Sequence, residues 1–103
     1  MILKKSKRKN KKYVVRDDKR TVHFGDNRYK DFLLMNDRTS KFYEPDPAER
    51  EKVKARYRLR HKGDNLSNPF SPGALSYYLL WNKKTLKASI KDYEERFNIK
   101  IKT

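Results

Sequence analysis

The chain has 103 residues, with 28 Lys and Arg against 13 Asp and Glu, a formal charge of +15. That length supports one small domain with about 6,000 Å² of folded surface, and with 35% hydrophobic against 40% charged residues its core must be thin. The absence of cysteine excludes disulfides, thiolate metal sites and thiol catalysis, and such a composition favours a binding or assembly protein over a self-sufficient enzyme.

Residues 4–12 hold seven basic side chains and no acid: Lys4, Lys5, Lys7, Arg8, Lys9, Lys11 and Lys12. With no periodic apolar pattern, residues 1–12 read as a basic arm, disordered in isolation, ahead of a single domain over 13–103. Tyr13-Val14-Val15-Arg16 and Thr21-Val22-His23-Phe24 are β-rich runs flanking Asp17-Asp18-Lys19-Arg20, so a hairpin is expected, with Gly25 ending its second strand. Asp31 to Met35 is expected to add a third strand, and residues 36–47 to form a connector. Lys52 to Arg60 alternates charged and apolar residues in a strand-like way. Asp46-Pro47-Ala48-Glu49 nevertheless makes a good helix start, which predicts a helix over 47–62 stopped by Gly63. Its basic members Arg56, Arg58, Arg60 and Lys62 form a second cationic concentration. Ser71-Pro72 predicts a short, nearly all-apolar helix to Trp81, containing Leu75 and Leu79. Thr85 begins a last helix with Leu86, Ile90, Tyr93 and Phe97 on one face. The expected fold class is α+β, a small antiparallel sheet followed by three helices. Leu75, Leu79, Trp81, Leu86, Ile90, Tyr93 and Phe97 are its expected core.

Arg60-His61-Lys62, the string from Leu79-Leu80-Trp81-Asn82-Lys83 through Asp92, Arg96-Phe97, Val22-His23-Phe24-Gly25, Tyr29 and Asp31-Phe32 resemble a family of short basic proteins of unknown function encoded by large nucleocytoplasmic DNA viruses. The resemblance runs over roughly residues 13–97. It implies a viral setting, in the virion or else in the host nucleus or cytoplasmic virus factory, and it carries no catalytic residues.

No constellation for chemistry stands out. His23 and His61 are the only histidines, widely separated, so no metal site is expected. Asp17-Asp18 suits a turn, and Glu94-Glu95 lies near Lys91 on a polar helix face. Gly25, Gly63 and Gly73 are too far apart for a phosphate loop. Asn65-Leu66-Ser67 reads as a chance glycosylation sequon. No enzyme activity, cofactor, small-molecule substrate or membrane is therefore expected, the apolar run Tyr77 to Trp81 being far shorter than the ~20 residues of a span. Tyr77, Tyr78 and Trp81 read as core. Tyr57, between Arg56 and Arg58, is the one aromatic that suits base stacking. The residues leave two partners open. One is viral capsid protein, with the chain as a minor capsid or cement component reaching across acidic surfaces, which the resemblance favours slightly. The other is DNA or RNA, bound without sequence specificity through Lys4 to Lys12 and the basic helix.

Overall fold

Ile2–Lys5 forms a strand, β1, where a disordered arm is expected. The structure, a computed structural model describing residues 1–103, pairs β1 antiparallel with β2 (Lys11–Arg16), which pairs in turn with β3 (Thr21–Asp26). Leu3 lies opposite Val15, which lies opposite Val22, while Tyr13 faces Phe24 and stacks on it with ring centroids 5.9 Å apart. Leu3, Val15 and Phe24 are all buried. The other edge of β1 is covered by the far end of the chain. Leu3 donates its N–H to the Lys102 carbonyl, and Lys102 donates to that of Met1, each at 2.8 Å. Its ladder with β2, one buried leucine and a bridge to a residue about a hundred positions away make this strand, and none of these shows in the local composition of residues 2–5.

The third strand therefore comes from residues 2–5, and the segment expected to supply it is a helical turn. In α1 (Phe32–Met35) the Asp31 carboxylate accepts the Leu34 N–H at 2.8 Å, and Phe32 and Met35, three apart, are buried. Three-residue spacing wins over strand propensity because an N-cap is present. Gly25 lies inside β3 rather than after it, at φ +77°.

The helical reading of 47–62 matches α2 (Pro47–His61), capped by Asp46 through the Ala48 N–H at 3.0 Å. The Val53 and Tyr57 stripe faces the core, whereas Ala48, Ala55 and Leu59 face solvent. Ser71 caps α3 (Pro72–Leu75), and the chain then widens into a π-helical turn, Ser76–Leu80, closed by the Trp81 N–H bonding to the Ser76 carbonyl at 3.1 Å. This segment is the most buried, with Ala74, Leu75, Leu79, Leu80 and Trp81 all inside. Thr85 caps α4 (Leu86–Phe97), whose Tyr93 is fully buried and donates its hydroxyl to the Pro69 carbonyl at 2.7 Å. Leu86, Ile90 and Phe97 are half-buried against the same core. The fold is α+β: a three-stranded antiparallel meander followed by helices, four in number.

Only 16 residues are buried, and the surface of 6894 Å² exceeds that of an average chain this size. Cations supply the missing cover. Arg20 lies 3.8 Å from the Phe70 centroid, Arg58 4.0 Å from Tyr77, Arg96 4.5 Å from Tyr78 and Lys54 4.7 Å from Phe32. A chain poor in aliphatics thus uses long cationic stems as lids over aromatic rings.

Candidate nucleic-acid interface

The β1–β2 connection is an ordered basic loop. Ser6 donates its N–H to the Lys12 carbonyl at 3.0 Å and Lys11 donates to Arg8 at 3.2 Å, while Asn10 takes the left-handed conformation at φ 64°. The Ser6 hydroxyl oxygen accepts the Arg8 N–H at 3.0 Å and lies 2.7 Å from His23 Nδ1. Partial burial, then Arg8, Lys11 and Arg16, hold the His23 pKa below its usual value. A neutral ring suits this geometry, because Nδ1 can then accept the Ser6 hydroxyl proton. The loop is tied to β3, and it presents Lys7, Arg8 and Lys9 to solvent.

Lys4 and Lys5 on β1 are exposed, and Lys11 is half-buried at the start of β2. None of Lys4, Lys5, Lys7, Arg8, Lys9 and Lys11 has an acid within ion-pair distance; the pairs formed by basic side chains are Lys12–Asp31, Arg20–Asp17, Arg28–Asp26, Arg56–Glu49, His61–Asp64 and Arg96–Asp92. Within eight residues, Lys4 to Lys11, the ribbon thus carries six cations without an acid partner.

Three of the sequence-derived site residues do other work. Lys12 is largely withdrawn from solvent: its side chain is 9% exposed and its Nζ lies 2.6 Å from Asp31 Oδ2. Arg58 donates to the Trp81 carbonyl at 2.8 Å while its guanidinium covers Tyr77, so it joins α2 to the π-turn. Tyr57 is no free stacking platform. Trp81 lies 4.2 Å from it at 8° and His61 4.2 Å at 26°; two near-parallel rings that close must occupy opposite faces. Burial raises its pKa to about 12. Arg56, Arg60 and Lys62 are exposed, Arg56 with only a loose 3.7 Å approach to Glu49.

Two clefts flank Lys12. The first, about 380 Å³, lies between β3, the turn after it, α2 and the π-turn, with Lys30, Arg60 and Tyr29 among its lining residues. The second, about 410 Å³, is bordered by Lys5, Lys11 and Lys41. Lys12 lines both, and the turn after β3 contributes Asn27 to one and Tyr29 and Lys30 to the other. The two clefts thus meet at the part-buried Lys12, with Arg60 of α2 lining one and Lys5 and Lys11 of the hairpin base lining the other. Lys30, Lys41 and Tyr29 are cleft residues that sequence reasoning missed. The only local signal was Tyr29 flanked by Arg28 and Lys30.

A family model described only as a family of unknown function (DUF5754) matches residues 1–43, which comprise the sheet, its basic loop and α1. No curated protein and no solved structure matches the chain.

Proposed function

We propose that this chain is a non-enzymatic, sequence-nonspecific nucleic-acid-binding protein that grips the phosphate backbone through its basic β1–β2 ribbon. The observation that carries this reading is the run of exposed cations without an acid partner, Lys7, Arg8 and Lys9, on an ordered loop flanked by the unpaired Lys4, Lys5 and Lys11. A fixed loop presents charge without the entropy cost of ordering a tail, and a two-stranded ribbon is a shape that a major groove admits. The loop offers two lysines and an arginine against a single amide side chain, Asn10, so backbone contact is the mode it suits. In the viral setting that the sequence resemblance implies, this activity would serve genome packaging or the virus factory.

Docking on acidic capsid protein through a large apolar patch has less to draw on. The exposed large hydrophobics are Ile2 on β1, Tyr29 in the turn after β3 and Leu59 on α2, whereas stable subunit docking buries about 800 Å² per partner. Fluorescence anisotropy with a mixed-sequence duplex and a single strand, from about 50 to 200 mM salt, tests the reading. Micromolar binding should persist at the upper salt. Replacing Lys7, Arg8 and Lys9 together by alanine should lower the log–log salt slope by up to about 0.9 for each phosphate that is no longer neutralised. Binding that vanishes for every nucleic acid by about 150 mM salt would overturn it, and an acidic protein surface of a virus particle would become the leading partner.

A further inference from the structure

The cleft of about 380 Å³ beside Lys12 has the size and composition for a small organic ligand. Its interior is apolar, from Val53, Leu80 and Trp81. It is also lined by Lys30 and Arg60, exposed cations without an acid partner, and by Asp26, whose carboxylate is paired with Arg28. Tyr29 lies at the cleft, 64% exposed. The Asp26 carboxylate accepts two bonds from the Arg28 guanidinium, Nε at 3.0 Å and Nη2 at 2.7 Å, and that guanidinium sits 5.7 Å from the Tyr29 centroid. The guanidinium is thereby held near the ring, which remains open to solvent. Deeper in, the Lys12 ammonium has three N–H groups and one protein acceptor, Asp31. The wall opposite is the π-helical turn Ser76–Leu80, a widened geometry that recurs at functional sites.

An aromatic platform beside two free cations, over an apolar floor, recognises a flat ring attached to a phosphate. We propose that this cleft binds one unstacked nucleotide, its base against Tyr29 and its phosphate between Lys30 and Arg60. The nucleotide can belong to a single strand or be free in solution. The proposal rests on the nucleic-acid reading above and extends it: the ribbon holds backbone of either strandedness, and the cleft adds a preference for unpaired bases.

Trp81 is the only tryptophan and lines the cleft, so its fluorescence reports occupancy directly. The full chain is titrated with adenosine monophosphate, inorganic phosphate and adenosine, and separately with a short single strand and a duplex. Adenosine monophosphate should change Trp81 emission saturably, and the single strand should compete with it. Tyr29→Ala and Arg60→Ala, both at exposed positions, should each weaken that response about tenfold. Replacing Lys7, Arg8 and Lys9 by alanine should leave the mononucleotide response intact while duplex binding falls. No saturable change in wild type, with duplex binding intact, would overturn the cleft while leaving the ribbon standing. An equal response to inorganic phosphate alone would overturn it too, by showing an anion site without base recognition. Mononucleotide binding without any duplex binding would support the cleft and remove the ribbon reading instead.

Discussion

Lys12 Nζ and Asp31 Oδ2 lie 2.6 Å apart with side chains 9% and 2% exposed, which places an ion pair inside a domain with little interior to spare. Asp31 also caps α1 through the Leu34 N–H at 2.8 Å, so one carboxylate couples the sheet to the first helix. Removing Lys12 leaves that carboxylate buried and half-satisfied. Lys12→Ala should therefore destabilise the fold by about 3–5 kcal/mol, read by urea denaturation. A loss of less than about 1 kcal/mol would show that the pair is not structural.

Gly25 sits at φ +77°, and a Cβ there would come 2.8 Å from Leu80 Cδ1 and 3.1 Å from Lys12 Cβ. Gly25→Ala combines left-handed strain of about 1–2 kcal/mol with a clash against the core and the ion-pair stem. Thermal unfolding should show a clear loss of stability, exceeding that of Gly63→Ala, since nothing lies within 4 Å of a Cβ at Gly63.

Arg58 and the loop cations separate stability from binding. Arg58→Ala removes the bond to the Trp81 carbonyl and uncovers Tyr77. It should cost about 1–3 kcal/mol and leave the salt slope of nucleic-acid binding unchanged. The Lys7, Arg8 and Lys9 variant should do the reverse, with each exposed substitution changing stability by no more than about 0.5 kcal/mol. Denaturation and anisotropy on the same samples decide it.

Burial raises the pKa of Tyr57 to about 12, and those of Tyr13 and Tyr93 also stand above the ordinary 10. Each favours the neutral phenol in the folded state. Their contribution to stability is present in full below pH 10 and is lost as pH rises through the folded values. Stability should fall between about pH 10 and 12, and unfolding in urea near pH 11 should release phenolate absorbance. Tyr57→Phe should shrink that release.

The helices α2 and α4 were legible because their signals are local, whereas the single turn of α1 reads as a strand. Asp46-Pro47 caps α2 and Thr85 caps α4 within three residues of what they bond, and the 3.6-residue period of Leu86, Ile90, Tyr93 and Phe97 needs no distant partner. The strand Ile2–Lys5 was hidden because its edges are completed by Val15 and by Lys102. Its lysines gave it the composition of a disordered tail. The site divided in the same way. Exposure of Lys7, Arg8 and Lys9 follows from charge alone, but the same charge on Lys12 and Arg58 is spent inside, as burial against Asp31 and the Trp81 carbonyl shows. Tyr57 looked available because its flanking arginines are basic, while the rings that sandwich it come from the next turn of α2 and from the π-turn, 24 residues on.

Arginines laid over Tyr77, Tyr78 and Phe70 make solubility and integrity a single property of this molecule. In most small domains surface charge can be trimmed at will, because the interior is roofed by aliphatic carbon. Here a neutralising change at any of these three positions strips the roof from a ring and turns a soluble face into a sticky one. Attempts to tame the chain's basicity for expression or crystallisation should therefore begin at Lys7 and Lys9, where the cation shelters nothing.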